Sequence, residues 1–203
     1  MTRGQYAFII GFLISFVATL WFAQWCYAKF VPWFNERWQP IQQFEHTNVV
    51  PPSDSQLHKL LVTWVRQNAG QPVTDQFAQL VVQETFRQSV EKRVDPFTML
   101  AVIQVESAFN YTARSNAGAL GLTQVIPQWH MDKIPNVEHI FDPKNNIRIG
   151  TEVFAQYMQQ YGGNVNKALR QYNGSLNIPT STYDDKVLST RASLMRWLDR
   201  QMT

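Results

Sequence analysis

Residues 95–127 read DPFTMLAVIQVESAFNYTARSNAGALGLTQVIP, and this stretch decides the fold. Asp95 has a side chain suited to capping free helix amides, and Pro96 suits a first helical turn because it has no amide proton to lose. Apolar residues then recur at helical spacing at Met99, Leu100, Val102, Ile103 and Val105. The stretch therefore predicts a mostly buried helix that begins at Pro96.

Glu106 follows this apolar run directly. It comes three residues after Ile103 and four after Val102, so we expect its carboxyl on the same face as the buried stripe. Apolar surroundings raise the pKa of a carboxyl because desolvation penalises its charged form. An acid that stays protonated near neutral pH is suited to general-acid cleavage of a glycosidic bond. The competing interpretation is a Glu at a helix end that points into water.

The residues after Glu106 form a dense, ordered and gap-free motif. Its members are Ser107, Ala113, Ser115, Gly118, Ala119, Gly121, Leu122, Gln124 and Pro127. They resemble the signature of lytic transglycosylases of the soluble-lytic (SLT) type, roughly E-S-x-F-x-x-x-A-x-S-x-x-G-A-x-G-L-x-Q-x-x-P. Residues 142–150 resemble the family's D-P-x-x-N-I-x-x-G segment, and residues 168–174 resemble its A-L-x-x-Y-N-x-G segment. Three motifs in the right order are specific evidence, and the resemblance covers about residues 75 to 190.

This resemblance implies a goose-type lysozyme fold and peptidoglycan as the substrate. It gives Glu106 the role of a single general acid and base that cleaves the bond between N-acetylmuramic acid and N-acetylglucosamine. The C6 hydroxyl of the muramic acid then attacks C1 and closes a 1,6-anhydro ring, so that no water is consumed. The implied substrate-binding residues are Ser115, Gln124, Tyr172 and Asn173.

Structural roles compete with these functional ones. Ser115 and Gln124 belong to residue types that often cap loops, and Tyr172 suits a core position with a satisfied hydroxyl equally well. Most glycosidases use a second carboxylate. The candidates by proximity in sequence or by residue type are Glu84, Asp132 and Asp142. For these three, a solvated charge or a helix cap is the simpler interpretation.

The chain departs from the family pattern at two places. Thr123 stands where the family commonly has Met, and Asn173 is followed by Gly174-Ser175 rather than by Ala-Gly. We expect both changes at the cleft, where they bear on the fit of the sugar and leave the acid in place.

Composition restricts the other classes of function. With 203 residues, 45% of them hydrophobic, the chain is long and apolar enough for a globular domain plus an appendage. The net charge of +3, without a basic stripe, predicts no nucleic-acid binding. The single Cys26 excludes an internal disulfide framework, and the four histidines lack the spacing of metal ligands. We therefore predict neither a metal nor a cofactor.

The amino-terminal run 6–28 is uncharged and apolar on every face, which predicts one transmembrane helix. A cleavable signal peptide is the alternative, but no convincing small-x-small cleavage site precedes Trp25. Flanking positive charges do not decide the orientation. The resemblance does, because peptidoglycan lies outside the inner membrane and so the catalytic domain is expected in the periplasm. We predict an anchor at 1–28, a juxtamembrane stalk at 29–52 and a lytic transglycosylase domain at 53–203.

The predicted soluble domain shows helical periodicity and no persistent alternation, so we predict an all-α fold. Predicted helices run from Ser53 or Asp54 to Gly70, from Thr74 to about Arg93, from Pro96 past Glu106, from Pro143 to Gly162, from Asn164 to Asn173 and from Asp184 to about Met202. Residues 128–141 lack periodicity and are predicted to be a loop.

Two other classes of protein are compatible with these residues. One is a goose-type muramidase, which uses water and leaves a reducing end. The other is a non-catalytic peptidoglycan-binding module, against which the presence of Glu106 argues. Small membrane-anchored members of the family often accompany conjugation, secretion or phage machinery. The expected partners are therefore glycan strands, the inner membrane and a machine of this kind.

Overall fold

The computed structural model describes residues 55–130, 132–134 and 137–203. The anchor predicted at 1–28 and the stalk predicted at 29–52 lie outside these residues, as do the first two residues of the predicted soluble domain. Of the helices within the described ranges, none combines the length and the apolar character that crossing a bilayer requires.

Helices account for nearly all the regular structure of the described residues, as the all-α prediction requires. The α-helices are α1 (Gln56–Asn68), α2 (Asp75–Lys92), α3 (Pro96–Ser107), α4 (Pro143–Gln160), α5 (Val165–Tyr172) and α6 (Tyr183–Met202). The β-structure of these residues is limited to two isolated bridges, Arg114 with Leu120 and Leu120 with Val125.

Side-chain caps determine where several helices begin. Asp95 accepts hydrogen bonds from the amides of Phe97 and Thr98 at 3.3 and 3.0 Å, which confirms the predicted start of α3. The prediction for α1 was wrong by one or two residues. Its cap is Ser55, whose Oγ accepts from the amide of His58 at 3.1 Å, because only a side chain directly before the first turn reaches that amide.

The loop predicted for residues 128–141 contains two short 3₁₀ helices, Pro127–Trp129 and Val137–Phe141. In these two places the prediction was wrong. A 3₁₀ segment of three to five residues is too short to show a hydrophobic period, so the pattern could not reveal it.

Helix α3 is the centre of the domain, and each of its residues from Pro96 to Ile103 is buried. One hydrophobic cluster joins it to the three later helices through Met99, Ala101, Val102, Phe154, Ala168, Leu169 and Val187. Helix α6 runs antiparallel to α3, because Arg191 meets Asp95 at 2.5 Å near the start of α3 while Tyr183 meets Glu106 at its end. The Tyr183 contact joins the last turn of α3 to the first turn of α6, and the Arg191 contact holds the other end of α3.

A second hydrophobic cluster supports the loop that follows α3. It consists of Val125, Ile134, Ile140, Ile149 and Val153. Two of these residues belong to α4, so the end of the loop packs directly on that helix. The second cluster therefore holds the loop beside the end of α3, where Glu106 lies.

Candidate active site

Glu106 is the second-last residue of α3 and stands where the chain turns sharply. The next turn carries two non-glycine residues with positive φ, Ala108 at 46° and Phe109 at 63°. Phe109 is fully buried and packs edge-on against Trp64 of α1, with the ring centroids 5.8 Å apart. This buried aromatic contact offsets the cost of the left-handed backbone and fixes the direction in which the helix presents Glu106.

A cavity of about 330 Å³ opens at this helix end. All five site residues predicted from the sequence line it, namely Glu106, Ser115, Gln124, Tyr172 and Asn173. They come from α3, from the loop after it and from the end of α5. Among the described residues, Glu106 is the one carboxylate in the cavity lining.

The environment of Glu106 keeps its carboxyl protonated to higher pH than usual. Burial raises the pKa of Glu106, and this effect outweighs a hydrogen bond from Tyr183 and the positive charge of Lys186, which both lower it. The Tyr183 hydroxyl donates to Oε1 of Glu106 at 2.5 Å. Burial and the nearby charge of Glu106 raise the pKa of Tyr183 far above its ordinary value, so its hydroxyl stays a donor.

Sequence reasoning missed Tyr183, which lies 77 positions after its partner. The predicted last helix began at Asp184, one residue too late to include it. The available signal was local: Tyr183 comes four residues before Val187, so a helix that included it would place it on the apolar face. Nothing in the spacing could indicate that Glu106 would be opposite.

Tyr172 hydrogen-bonds to the loop. Its hydroxyl donates to the carbonyl oxygen of Thr123 at 2.8 Å, and its ring packs edge-on against Phe154, with centroids 6.2 Å apart. Burial raises the pKa of Tyr172, and the charge of Glu106 adds to the rise. Tyr172 thus connects α5 to the loop opposite, while Tyr183 supplies the hydrogen bond to the acid.

Ser115 and Gln124 use their side chains to fold the loop. Ser115 Oγ accepts from the amide of Ala119 at 3.0 Å. Gln124 has a φ of +49°, and its Nε2 donates to the carbonyl oxygens of Gly121 at 2.9 Å and Ala113 at 3.3 Å. These are the loop-capping contacts expected of such residues. They also place both side chains at the cavity.

Asn146, from the second motif, organises the loop from beneath. Its Oδ1 accepts from the amide and hydroxyl of Thr123 at 2.8 and 2.7 Å. Its Nδ2 donates to the carbonyl oxygens of Leu120 and Ile140 at 3.0 and 2.9 Å. Gly121 leaves room for this amide, since a Cβ there would lie 2.2 Å from Asn146 Nδ2. The buried amide therefore uses all of its hydrogen-bonding groups to hold the loop.

The two places where the chain departs from the family pattern differ in whether their side chains reach the cavity. Thr123 is fully buried, and a Cβ on Gly150 would lie 2.4 Å from its side chain. We expected this residue at the cleft, but its side chain points into the domain and is absent from the cavity lining described above. Gly174 does line the cavity, while Ser175 is buried and accepts a hydrogen bond from the Ser181 hydroxyl at 2.8 Å.

Trp129 and His130 also line the cavity, and the sequence did not single them out for it. Trp129 is 65% exposed, which is unusual for so large an aromatic side chain. It ends a 3₁₀ turn begun by Pro127, and the amide of His130 closes that turn on the Pro127 carbonyl oxygen at 2.9 Å. Burial and the charge of Lys133 lower the pKa of His130, with Asp132 opposing, so the imidazole is neutral at neutral pH.

The three candidates for a second carboxylate lie outside this cavity lining. Glu84 pairs with Arg87 at 2.5 Å and accepts from Gln88 at 2.8 Å. Asp132 is exposed and pairs with Lys133. Asp142 caps α4 by accepting from the amide of Asn145 at 2.9 Å. Each side chain is occupied by a structural contact.

Residues 84–184, about half of the chain, match the family model of the transglycosylase SLT domain. This range includes α3, the loop, the second motif and both tyrosines. This part of the chain is a transglycosylase SLT domain.

Similar proteins agree with that family. Over 92 residues the chain is 39% identical to membrane-bound lytic murein transglycosylase C of Sodalis glossinidius. The aligned region covers 39% of this chain and 25% of that protein. Over 105 residues the chain is 33% identical to a transglycosylase of Enterobacteria phage PRD1, covering 49% of this chain and 38% of that protein. The match therefore spans well under half of these relatives.

A solved structure of an inactive mutant of the lytic transglycosylase Slt from Pseudomonas aeruginosa is also similar. Its TM-score is 0.45, and the sequence identity is 23%. The similarity covers 57% of this chain and 22% of that one.

Proposed function

We propose that this chain is a peptidoglycan lytic transglycosylase with a goose-type lysozyme fold, in which Glu106 is the single general acid and base. The observation that carries the proposal is the setting of Glu106. It is the one carboxylate of the described cavity lining, burial raises its pKa, and a tyrosine hydroxyl orients it. The SLT domain match and the lytic transglycosylases among the relatives support the same activity.

In the first step Glu106 donates its proton to the oxygen that links N-acetylmuramic acid to N-acetylglucosamine, and the bond from C1 to that oxygen breaks. Burial raises the pKa of Glu106, which favours the protonated form that this step requires. The N-acetyl group of the muramic acid stabilises the positive charge that develops at C1, which is how an enzyme with one carboxylate works without a nucleophile of its own.

In the second step the Glu106 carboxylate takes the proton from the C6 hydroxyl of the same muramic acid as that oxygen attacks C1. A 1,6-anhydro ring closes, Glu106 is again protonated, and no water enters. Tyr183 donates to the carboxylate between the two steps, when the negative charge is present. The exposed ring of Trp129 gives the cavity rim an apolar face on which a pyranose ring could stack.

Mass analysis of digested sacculi tests this proposal. We expect muropeptides ending in 1,6-anhydro-muramic acid and no uptake of heavy oxygen from labelled water. Hydrated ends that carry the label would instead identify a goose-type muramidase. If neither product forms while the protein still binds sacculi, the non-catalytic binding module is correct.

We also propose that residues 1–28 anchor the protein in the inner membrane and that residues 53–203 lie in the periplasm, with residues 29–52 as a stalk between them. The uncharged run 6–28 and the membrane-bound relatives support this arrangement. The anchor would confine cleavage to the wall near the membrane, as a secretion, conjugation or phage machine needs. A carboxyl-terminal phosphatase fusion that is active only in the periplasm should be active, and an inactive fusion would contradict the topology.

A further inference from the structure

Two side chains of α5 hold the first turn of α6. Asn166 and Arg170 lie one helical turn apart, so both project from the same face of α5. Asn166 Nδ2 donates to Oδ2 of Asp184 at 3.1 Å, and Arg170 Nε lies 3.4 Å from Oδ1 of the same carboxylate. The second distance is long for a hydrogen bond, so this contact is an ion pair. Asp184 is buried and adjoins Tyr183, the residue that contacts Glu106.

The other end of the Arg170 side chain holds the loop that leads to Tyr183. Its Nη2 donates to the carbonyl oxygens of Ile178 at 3.0 Å and Ser181 at 2.8 Å, with Pro179 more distant at 3.4 Å. The guanidinium therefore fills the inside of the loop between α5 and α6. One planar guanidinium donates to two backbone carbonyl oxygens while its Nε faces a carboxylate, an arrangement that the single ammonium group of a lysine does not reproduce.

Side-chain contacts within the loop transmit this arrangement to Tyr183. The Ser181 hydroxyl donates to Ser175 Oγ at 2.8 Å. The same oxygen accepts a hydrogen bond from the amide of Tyr183 at 3.4 Å. The residue before α6, Thr182, makes no side-chain cap hydrogen bond. The Ser181 hydroxyl is therefore the side-chain acceptor at the start of α6, and Arg170 holds this start in place through the Ser181 carbonyl oxygen and Asp184.

We infer that Arg170 is a positioning residue for the proposed reaction, acting through the loop and Tyr183 to set the hydroxyl that hydrogen-bonds Glu106. Arg170 is absent from the described cavity lining, so its influence on Glu106 is indirect. The inference rests on the proposed function for its kinetic consequences. Its structural content, that Arg170 controls the contact between Tyr183 and Glu106, does not depend on the reaction.

The test compares R170K, Y183F and the double variant in the full-length protein, with R196K as control. Arg196 lies on the exposed side of α6 and contacts Ser193 of its own helix, so R196K should behave like wild type. R170K keeps the charge beside Asp184 but cannot satisfy the loop carbonyls. We expect kcat on sacculi to fall about tenfold in R170K with KM within about twofold, because a displaced catalytic group slows chemistry more than binding.

Two readouts separate positioning from a general structural role. The alkaline limb of the pH–rate profile should move to higher pH in R170K, as in Y183F, because both lose the hydrogen bond that lowers the pKa of Glu106. The double variant should be no slower than Y183F alone, since both changes remove the same contact. Additive losses of activity, or an unchanged alkaline limb in R170K, would overturn the inference.

A measurement without substrate distinguishes failure of this inference from failure of the proposed function. Carbon NMR of labelled glutamate carboxyls, with E106Q to assign the Glu106 signal, follows the pKa of Glu106 directly. We expect the same upward shift of that pKa in R170K and in Y183F, and none in R196K. A shift in Y183F without one in R170K refutes the role of Arg170 whatever the protein cleaves.

Discussion

The loop side of the cavity, residues 113–126, and the helix side differ in what their polar side chains contact. The helix side consists of Tyr172 and Asn173, which line the cavity, and of Tyr183, which contacts Glu106 from outside the described lining. On the loop side, Ser115 and Gln124 hydrogen-bond to the backbone of their own loop. On the helix side, Tyr172 and Tyr183 donate across to Thr123 and to Glu106. The loop side therefore maintains its own shape, and on the helix side Tyr183 donates the hydrogen bond that lowers the pKa of Glu106 against the larger effect of burial. This difference predicts losses of stability on one side and losses of activity on the other.

The largest expected effect concerns the acid that both sides surround. E106Q keeps the size and shape of the side chain but cannot deliver a proton, so cleavage of sacculi should fall by about two orders of magnitude or more. Release of soluble muropeptides measures the loss, with circular dichroism as the control for folding. A Gln variant that clears sacculi as fast as wild type would exclude Glu106 as the acid.

Gly121 tests the loop side. Its φ is +76°, and a Cβ there would collide with the Asn146 amide that holds the loop. We expect G121A to lower the free energy of unfolding by about 3 kcal/mol. G118A is the matched control, because Gly118 also has positive φ, +83°, but no atom within 4 Å of the added Cβ, so about 1 kcal/mol should be lost. Urea unfolding measures both values. Equal losses of unfolding free energy in G121A and G118A would show that the collision with the Asn146 amide does not destabilise the protein.

Tyr183 tests the helix side. Y183F removes a hydrogen bond to a charged group, so kcat should fall about tenfold while the fold persists. The alkaline limb of the pH–rate profile should move to higher pH, because loss of this bond lets the pKa of Glu106 rise further. Y172F removes a hydroxyl that donates to the Thr123 carbonyl oxygen and not to Glu106. It should therefore leave the alkaline limb of the pH–rate profile unchanged. A shift of the same size in both variants would contradict the division between the two tyrosines.

Trp129 extends the comparison to the cavity rim. W129A removes the exposed aromatic face, and we expect KM for soluble glycan strands to rise about fivefold with kcat within about twofold. W129F keeps an aromatic ring and should retain most of the affinity. An unchanged KM in W129A would remove Trp129 from the substrate-binding surface.

The smallest expected effect is the change in thermal stability that E106Q causes. A raised pKa of Glu106 means that folding favours the protonated acid, so this group's contribution to stability is present at low pH and is lost as the pH rises through the folded-state pKa. E106Q should therefore raise Tm by a few degrees at neutral pH. The gain in Tm should vanish below pH 4.5, which is the ordinary pKa of a Glu side chain. A variant that is equally stabilised at both pH values would show that burial of the charge is not the cause.

Local features of the sequence were enough to predict the helix that carries Glu106, its start at Asp95 and its burial. A cap acts over three residues and an amphipathic period over four, so both are visible in the order of residues. Local sequence also predicted the residues of the loop, because its ordered motif identified Ser115 and Gln124. The third motif likewise identified Tyr172 and Asn173, and all of these residues line one cavity with Glu106.

Only the tertiary structure decided which groups surround the acid. Tyr183 meets Glu106 because α6 returns antiparallel to α3, and Arg170 reaches Asp184 because α5 packs beside that turn. Trp129 is exposed at the cavity, whereas the Thr123 side chain is turned inward against Gly150. Contacts between distant segments depend on how the helices pack, and packing is not encoded in local spacing. The sequence by itself therefore determined the helix that carries Glu106 and indicated this residue as the candidate acid, and the fold determined the burial and the Tyr183 contact that shift its pKa.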